Sequence, residues 1–445
     1  MKINVIGTGY VGLVSGVCLA SRGHYVTCFD TNPKTIKTLN EGKCHFYENG
    51  LEELFKKFKN NLAFEYLDSN SEHKLVNCES ILIAVGTPTI DGKIDLSQIK
   101  SASKKIGELI KNHNKFISVI VKSTVVPGTT DTVVRKILED NSEKKIGDFG
   151  LGMNPEFLRE GNAIEDFMYP DRIVFGYEDD KTLEYLHKMY DSWDVDKVCV
   201  NSRSAEMIKY VNNSLLATQI STINEYSNIA KTIGNIDFNK VVHAVHLDKR
   251  WTPIDKKSGE RIYPEIINYL RPGCGFGGSC FPKDVMALAA LSKEIGVNSL
   301  ILDSVIKVND LQPNVILEYL ENSVGSLKNK NILVLGLAFK PETDDVRESV
   351  SIKMIRYLID KGSNVSAHDP IAIDNAKKII NSNINYVNDW KKEFYKNEII
   401  ILATNWRNYK DLKQLDDKSN NNIIFDTRSL FKKGDFKNIT YLNIN

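Results

Sequence analysis

The chain has 445 residues, of which 42% are hydrophobic and 26% are charged, an ordinary composition for a globular protein of two or three domains. Its net charge of +1 gives no overall basic field to hold nucleic acid or an anionic membrane. Seven cysteines without a CxxC pair argue against a metal site and for a reducing, cytoplasmic compartment. The apolar run after Lys2 contains four glycines, so it reads as strand, turn and helix rather than as a signal peptide, and no later segment is apolar enough to span a bilayer.

Short apolar runs alternate with longer amphipathic segments over the first two hundred residues. The amphipathic segments, for example 51–59 and 96–111, have the residue spacing of helices. Such alternation predicts an α/β domain in which crossover helices cover both faces of a doubly wound parallel sheet. The runs predicted as strands are Lys2–Ile6, Tyr25–Phe29, Ser80–Val85, Phe116–Val121, Gly150–Met153, Ile173–Gly176 and Val198–Val200.

A long helix is predicted after residue 204. From Ala205 to about Ile233 there is no proline or glycine, and apolar residues recur at helical spacing until Gly234 provides a stop. The segment Trp251–Gly278 reads as loop. A second α/β pattern opens at Asn331–Gly336 and continues with strand-like runs at Asn364–Ala367, Ile399–Ala403 and Ile423–Phe425. We therefore expect two Rossmann-like, doubly wound parallel-sheet domains joined by a central helical domain. The predicted bounds are 1–200 for the dinucleotide domain, 201–322 for the helical domain and 323–445 for the second Rossmann-like domain.

The hexapeptide Gly7-Thr8-Gly9-Tyr10-Val11-Gly12 follows the first strand and opens a helix, which is the context of a dinucleotide-binding turn. Its glycines would permit a tight turn, the approach of a pyrophosphate and close packing of helix on strand. Asp30 ends the next strand, and its carboxylate would bind the ribose of NAD and repel the 2′-phosphate of NADP. The nearby cation Lys34 weakens the exclusion of NADP. Thr87 follows another predicted strand, at the edge of the sheet where ligands bind. The sequence predicts NAD; the alternative is a tight turn without a ligand.

Cys280 ends the glycine-rich run GCGFGGSC, directly before a predicted helix. Pro282 stands where the first turn of a helix favours it, which puts Cys280 at the helix N-terminus. The helix start and the nearby Lys283 both favour the thiolate over the thiol. Asp284 shares a helix face with Cys280 if the helix has begun by then. These neighbours predict a nucleophile for covalent chemistry on a carbonyl, against the alternative of a buried structural cysteine.

The run GFGGSCFPKD resembles the active-site signature of the UDP-glucose/GDP-mannose dehydrogenase family, and other family motifs follow in order from Gly7 to Arg428. The resemblance implies an NAD-dependent four-electron oxidation of a nucleotide sugar, UDP-glucose to UDP-glucuronate, through a thiohemiacetal and a thioester on Cys280. It also implies a catalytic pair on the long helix, Lys209 and Asn213, which would stabilise negative charge on the reacting oxygen.

Two loops after predicted strands carry further residues that the resemblance assigns. In the segment 154–161, similar to the family's NPEF motif, Glu156 would assist the hydrolytic water and Glu160 is a second motif glutamate. Thr124 would help to organise that water. The expected catalytic residues are Cys280, Lys209, Asn213, Asp284, Thr124 and Glu156. With the glycine turn included, the expected cofactor contacts are Gly7, Gly9, Tyr10, Val11, Gly12, Asp30, Lys34, Thr87, Thr124, Glu160, Lys283 and Arg347.

The second α/β lobe lacks a GxGxxG turn, but its segment 336–349 resembles the family's UDP-sugar segment. Lys340 and Arg428 would supply the local cations that a pyrophosphate needs. One feature departs from the family, because a longer charged segment separates an Asp-x-Arg motif from the cysteine loop. Arg250, Arg261 and Arg271 are therefore all candidates for an arginine that reaches a neighbouring subunit's substrate. The expected substrate contacts are Glu156, Phe157, Leu158, Lys209, Asn213, Arg250, Phe276, Gly277, Lys340 and Arg428.

Several alternatives stay open at this point. A GDP-mannose dehydrogenase has a similar cysteine loop, whereas members acting on UDP-N-acetylmannosamine are disfavoured by Ser279 and the Lys283-Asp284 pair. A two-electron 3-hydroxyacid dehydrogenase would share the layout but has no use for Cys280, and a catalytically inactive nucleotide-sugar sensor has no use for Cys280, Lys209 or Asp284. The long helix predicts a homodimer or a higher homo-oligomer.

Overall fold

The glycine turn follows the central strand of a Rossmann-type sheet in the computed structural model, which describes residues 1–90, 92–380, 384–419 and 421–444. The chain forms two units, 1–212 and 213–445. The strands of the first unit are β1 (Lys2–Ile6), β2 (Tyr25–Asp30), β3 (Leu62–Tyr66), β4 (Ser80–Ile83), β5 (Thr89–Ile90), β6 (Lys93–Ile94), β7 (Ser118–Val121), β8 (Gly150–Met153), β9 (Ile173–Tyr177) and β10 (Lys197–Val200).

Eight of these strands form one sheet in the order β10-β9-β8-β7-β4-β1-β2-β3, and β5 and β6 form a separate pair. The stretch β3-β2-β1-β4-β7-β8 has the strand order of a Rossmann fold. The sheet is parallel, as predicted, except that β9 pairs antiparallel with β8, with Gly152 opposite Tyr177. Hydrophobic patterning could not reveal this, since a buried strand has the same residue pattern in either direction.

Two separate apolar clusters pack the faces of this sheet. One joins α1 to β1 around Val5 and Leu13, and the other joins α4 and α5 to the sheet around Ile83 and Ile106. The helices of the first unit are α1 (Tyr10–Ser21), α2 (Pro33–Asn40), α3 (Leu51–Lys57), α4 (Ser97–Ile110), α5 (Arg135–Ser142), α6 (Ala163–Met168) and α7 (Asp180–Met189), with short 3-10 helices at Lys59–Asn61 and Glu72–Val76 and a π-helix at Thr129–Val134.

The predicted long helix is α8 (Ser202–Ile233), which has 32 residues and begins three residues earlier than expected. Gly234 follows it with φ +76, the left-handed conformation that ends helices. Lys209 and Asn213 lie one helical turn apart on α8. Among the described residues, neither α8 nor any other helix has the length and hydrophobicity needed to cross a bilayer.

The second unit contains another sheet, β13-β12-β11-β14-β15-β16, which is parallel throughout and repeats the Rossmann strand order. Its strands are β11 (Asn331–Leu335), β12 (Asn364–His368), β13 (Asn385–Tyr386), β14 (Ile399–Leu402), β15 (Ile423–Asp426) and β16 (Thr440–Asn443). Its helices are α9 (Phe238–His246), α10 (Phe281–Glu294), α11 (Leu300–Val324), α12 (Val350–Asp360), α13 (Ile373–Lys377) and α14 (Trp390–Phe394), with 3-10 helices at Glu265–Leu270 and Arg407–Lys418.

The structure thus contains the two predicted Rossmann-like sheets and the helical stretch between them. The segment Trp251–Gly278, predicted as loop, contains a 3-10 helix. No strand was predicted at β5 and β6, which form a separate pair, or at β3, β13 and β16, which lie at the edges of their sheets and are only partly buried. The division into three domains at residues 200 and 322 stays a prediction.

Gly336 directly follows the central strand β11, so a substitution at this position would test the packing of the second sheet. It takes φ +101, and a Cβ added there would lie 2.6 Å from the Thr404 hydroxyl oxygen. We expect Gly336→Ala to lower the free energy of unfolding by about 2–4 kcal/mol in urea titrations, because backbone strain and steric overlap add.

Gly434→Ala is the matched control, since Gly434 has φ +96 but open space around its Cβ position. Its loss should be only about 1 kcal/mol, the cost of the left-handed backbone. Equal losses in the two variants would contradict the overlap argument.

Candidate active site

The glycine turn of the first unit has room for a dinucleotide. Gly7 takes φ +95, and a Cβ there would lie 2.6 Å from a neighbouring backbone oxygen. A Cβ on Gly12 would overlap the Gly7 carbonyl, so turn and helix approach closely only because both residues are glycine. Gly9 has open space where its Cβ would be, as the approach of a pyrophosphate requires. Tyr10 and Val11 follow as the first turn of α1, where backbone N–H groups attract anions.

Asp30, the last residue of β2, fixes this turn from the side. Its Oδ2 accepts hydrogen bonds from Thr8 N at 2.8 Å and Thr8 Oγ1 at 2.7 Å, and its Oδ1 accepts one from Asn32 N at 2.8 Å. Oδ1 can accept another bond, so the carboxylate is oriented and still able to bind a ribose hydroxyl. Lys34 is exposed in the first turn of α2.

Thr87 and Thr124 lie on the loops that follow the neighbouring strands β4 and β7, and the structure brings them together. Thr87 Oγ1 donates to Thr124 O at 2.9 Å, and Ser123 Oγ donates to Val85 O at 2.6 Å, which ties the same two loops. Both loops leave the carboxyl edge of the sheet, where Rossmann folds bind their ligands.

A buried ion pair joins the loop after β8 to the long helix. Lys209 Nζ lies 3.0 Å from Glu156 Oε1, and both side chains are at most 6% exposed. Glu156 also accepts a bond from Leu158 N at 2.7 Å, and Lys209 Nζ lies 5.4 Å from the centre of the Phe157 ring. Burial raises the pKa of Glu156, but Lys209 and the Leu158 amide outweigh it, so the pKa is lowered and the carboxylate stays ionised.

Cys280 lies at the N-terminus of α10 with Pro282 in the first turn, as the sequence predicts. Its side chain is half-buried, and the Ser279 hydroxyl oxygen lies 3.7 Å from its sulfur. The N–H groups at a helix start attract an anion, and the thiolate is the nucleophilic form of cysteine.

Asp284 is buried one turn further along α10. Its Oδ2 accepts a hydrogen bond from Asn213 Nδ2 at 2.7 Å, and its Oδ1 accepts one from Lys283 Nζ at 2.7 Å. Lys283, expected beside the thiol, thus forms its ion pair with Asp284. The structure brings together Asp284, Asn213 and Lys283, three of the residues predicted from the cysteine motif and the long helix.

The predicted sugar-nucleotide residues lie in the second sheet's loops. Arg428 follows β15, and its Nε donates to a backbone carbonyl at 2.6 Å. Lys340 is half-buried, with Nζ 5.8 Å from the ring centre of Phe339. Arg347, an expected cofactor contact in the same segment as Lys340, is exposed and pairs with a neighbouring aspartate, while its carbonyl accepts a bond from Gly278 N at 3.0 Å. This last bond joins the sugar-nucleotide segment to the cysteine loop.

Phe276 is an expected substrate contact, and that role stays a prediction. Its side chain is buried in an apolar cluster with Ala217, Val285 and Val305, so it stabilises the base of the cysteine loop. A Cβ on Gly277 would overlap the Glu348 carbonyl, so that glycine is required for packing against the sugar-nucleotide segment.

Asp369 explains why the second lobe has the Rossmann shape without a dinucleotide site. Asp369 directly follows β12, at the position that corresponds to Asp30 at the end of β2. The turns also correspond, since Gly336 N donates to His368 O in the same way that Gly7 N donates to Phe29 O. Both oxygens of Asp369 are already used, however, by five donors that hold loops of the lobe: Leu337 N, Ala338 N, Trp406 Nε1, Ile371 N and Ala372 N.

Three family models together match most of the chain. The NAD binding domain of the UDP-glucose/GDP-mannose dehydrogenase family matches residues 1–194, its central domain matches 203–311 and its UDP binding domain matches 333–433. The chain belongs to this family. The match confirms the predicted fold class and the assignment as an NAD-dependent oxidoreductase.

Relatives in the UDP-glucose/GDP-mannose dehydrogenase family align over nearly the whole chain. UDP-glucose 6-dehydrogenase of Rickettsia bellii is 36% identical over 99% of this chain and 98% of its own. UDP-glucose 6-dehydrogenase YwqF of Bacillus subtilis is 38% identical over 97% of this chain and 94% of its own. The solved UDP-glucose dehydrogenase of Pyrobaculum islandicum is 36% identical, with a TM-score of 0.88 over 100% of this chain and 97% of that one.

The three arginines left open by the family resemblance have different environments. Arg250 is highly exposed and forms a two-pronged ion pair with Asp248. Arg261 donates to Leu247 O and to Thr252 O and Oγ1, each at 2.8 Å, so it holds its own loop against the end of α9. Arg271 is exposed. Arg261 therefore stabilises its own loop, and which of the three arginines contacts the substrate stays a prediction.

Two buried residues near the family motifs were missed by the sequence reading. Lys122 Nζ donates to Asn154 Oδ1 at 2.8 Å, and Tyr190 donates to the same oxygen at 2.6 Å, which fixes the start of the loop that carries Glu156. Burial lowers the pKa of Lys122 to about 8, although Glu156 opposes this shift. A lysine directly after a buried strand, in the run VKST, gives no local signal that it is itself buried.

Glu48 is the other missed residue, and it links the glycine turn to the loop after β8. The Tyr10 hydroxyl donates to its carboxylate, as do Gly161 N at 2.6 Å and Ala163 N at 2.7 Å. Glu160, an expected cofactor contact, is the buried residue directly before Gly161. Glu48 lies 113 residues from Gly161 in a stretch with no motif, so only the fold could identify it.

We predict that Glu48→Gln raises KM for NAD about 5- to 10-fold and KM for the nucleotide sugar less than 2-fold. The two carboxylate oxygens each accept a backbone N–H, so an amide NH2 must face one of these donors and lose a bond of about 1 kcal/mol. Steady-state kinetics with each ligand varied would measure this. Glu52→Gln, at an exposed glutamate paired with Lys56, is the control. An equal rise in both KM values would contradict a specific role at the cofactor turn.

Proposed function

We propose that this chain oxidises C6 of UDP-glucose to a carboxylate and releases UDP-glucuronate, with Cys280 as the covalent nucleophile. The arrangement that supports this most directly is Cys280 at a helix start, one turn before the buried Asp284 that is bonded to Asn213 and Lys283. A dehydrogenase that only removes two electrons has no need of such a nucleophile. The curated relatives named above carry the same activity in their names.

Each proposed step uses side chains described above. Gly7, Gly9, Gly12 and Asp30 would hold NAD, which would supply the acceptor for a hydride from C6 in each of two oxidations. Between them the sulfur of Cys280 forms a bond to the aldehyde carbon, the carbonyl π bond opens, and its oxygen takes a proton to give a thiohemiacetal. Lys209 and Asn213 supply a cation and an amide donor for negative charge on this oxygen. Oxidation of the thiohemiacetal leaves a thioester on Cys280.

Water then releases the product. Glu156, kept ionised by Lys209, and Asp284 are the carboxylates proposed to accept its proton, with Thr124 orienting it. The C–S bond breaks as the C–O bond forms, and the thiolate is restored. The full balance is one alcohol, two NAD⁺ and one water giving one carboxylate, two NADH and three protons.

Two observations favour a UDP-sugar over GDP-mannose. The relatives named above, 36% and 38% identical over nearly the whole chain, are UDP-glucose 6-dehydrogenases. The solved GDP-mannose dehydrogenase of Pseudomonas aeruginosa is 30% identical with a TM-score of 0.54, below the 0.88 of the Pyrobaculum islandicum enzyme.

Purified protein should form two NADH per UDP-glucose consumed, measured by absorbance at limiting substrate, and much less NADH with GDP-mannose. Cys280→Ser should lower kcat by about 10³-fold or more, because serine cannot form the thioester. Cys199→Ser, at an exposed cysteine, should leave kcat unchanged. A ratio of one NADH, or normal turnover by the Cys280→Ser variant, would rule out the mechanism.

We also propose a homodimer that buries the outer side of α8. Near its C-terminal end this side presents apolar side chains at helical spacing, since Tyr226, Ile229 and Ile233 are each more than half exposed, as is Leu215 three turns earlier. Contiguous apolar surface on a long helix is typical of a subunit interface.

The variant Tyr226→Asp/Ile229→Asp should sediment or elute with half the mass of the wild-type protein, because two charges would be buried in the interface. Light scattering after size exclusion would measure this. Thr232→Asp is the control, since Thr232 is exposed on α8 but lies to one side of these apolar side chains. A wild-type monomer would end the dimer proposal and leave the proposed reaction untouched.

A further inference from the structure

Side-chain amides hold the loop Gly273–Gly278 that precedes Cys280. Asn309 on α11 makes two hydrogen bonds to one residue of this loop: its Nδ2 donates to Phe276 O at 3.0 Å, and its Oδ1 accepts from Phe276 N at 2.8 Å. Asn309 is only 6% exposed, and both of these bonds are buried. The backbone four residues before Cys280 is therefore fixed by a side chain from another helix.

Gly273, at the start of the loop, is held in the same manner. Its N–H donates to Asn224 Oδ1 at 2.7 Å, and its carbonyl accepts from Gln312 Nε2 at 2.9 Å. Asn228 Nδ2 in turn donates to Gln312 Oε1 at 2.8 Å. Asn309 and Gln312 are three residues apart and share one face of α11. That face of α11 therefore fixes the loop backbone at two points, Gly273 and Phe276.

The glycines make this close approach possible. Gly275 takes φ +96, and a Cβ there would lie 2.6 Å from Asn309 Oδ1. On the other side, a Cβ on Gly278 would lie 2.7 Å from the Phe339 ring. The loop is thus packed between Asn309 and Phe339, with a glycine at each contact.

Asparagine is the only residue of its shape that satisfies both backbone groups of Phe276. Aspartate has the same size and keeps the acceptor for Phe276 N, but it lacks the donor and puts negative charge against Phe276 O. A buried carbonyl left without its donor costs about 1–3 kcal/mol, enough to favour another loop conformation.

We propose that Asn309 is a positioning residue for the nucleophile, which sets the direction of the Cys280 sulfur by fixing the Phe276 backbone. Asn309 is buried and bonded to the loop backbone, so this role is exerted through the loop. This inference rests on the proposed function, because it concerns the capture of the aldehyde by Cys280. When the sulfur is misplaced, formation of the C–S bond slows while the preceding oxidation of the alcohol continues, so the aldehyde escapes before the second oxidation.

The test compares Asn309→Asp with Asn314→Asp, the same substitution at an exposed position on the same helix. Iodoacetamide labels the folded enzyme, and peptide mass spectrometry gives separate alkylation rates for Cys280 and for the exposed Cys199 of the same molecules. We expect Asn309→Asp to slow Cys280 alkylation about 10-fold and Cys199 less than 2-fold, because the sulfur loses its alignment with the helix start. Asn314→Asp should change neither rate.

The second readout is stoichiometry. With UDP-glucose, Asn309→Asp should form fewer than two NADH per sugar consumed, and the missing product should be trapped as an aldehyde adduct by hydroxylamine. A loss of folded protein lowers the amount of NADH formed but leaves the ratio at two. The ratio therefore separates positioning from stability.

If Asn309→Asp does not fold, Gln312→Glu replaces it, since it removes the donor to Gly273 O and keeps the acceptor for Asn228. The same changes are expected, but smaller, because Gly273 lies further from Cys280. The inference is overturned if a folded variant keeps the Cys280 alkylation rate, or if both cysteines slow equally. Failure of the proposed function is a different result: wild-type protein that forms no NADH, or one NADH, while the two alkylation rates still respond to Asn309→Asp.

Discussion

A buried carboxylate is stable only when hydrogen-bond donors or a cation satisfy its oxygens, and this requirement fixes the helices and loops that carry the proposed catalytic residues. Asp284 is satisfied by Asn213 and Lys283, which ties the helix that starts at Cys280 to the long helix. Glu156 is satisfied by Lys209. Because removal of one partner leaves a charge without compensation, these side chains have little freedom to move. The same bonds that stabilise each unit therefore fix the orientation of the groups proposed to react.

The two sheets show how one architecture is adapted to different ligands. In the first, Gly9 leaves open space and Asp30 keeps capacity to accept another bond. In the second, the equivalent acid, Asp369, is saturated by donors from its own lobe. A carboxylate at this position can bind a ribose only if its oxygens are free to accept further hydrogen bonds. When backbone and side-chain donors of the same lobe occupy both oxygens, the carboxylate stabilises the lobe instead. The fold is shared, and the difference in function lies in which polar atoms stay available.

Local sequence patterns were sufficient for most of the fold and for the residues in motifs. Glycine spacing identified the turn at Gly7, and Pro282 located the helix that starts after Cys280, because both depend on neighbouring residues alone. The antiparallel direction of β9 relative to β8 could not be predicted, since the hydrophobic pattern of a buried strand is the same in either direction. The roles of Glu48 and Asn309 could not be predicted, because their hydrogen-bond partners are distant in sequence and no pattern within a short window indicates such a bond. The burial of the Phe276 ring in an apolar cluster could not be predicted either, because the residues that pack on it come from other helices.

The contact between Gly275 and Asn309 has a consequence for how the sequence can change over evolutionary time. A side chain larger than glycine at position 275 would displace the amide that holds the nucleophile's loop, and a shorter residue at 309 would leave that loop without its anchor. Neither position can drift alone without harm, so the two are coupled. Divergence of this loop would have to pass through paired substitutions, which makes it a slow-changing part of the molecule.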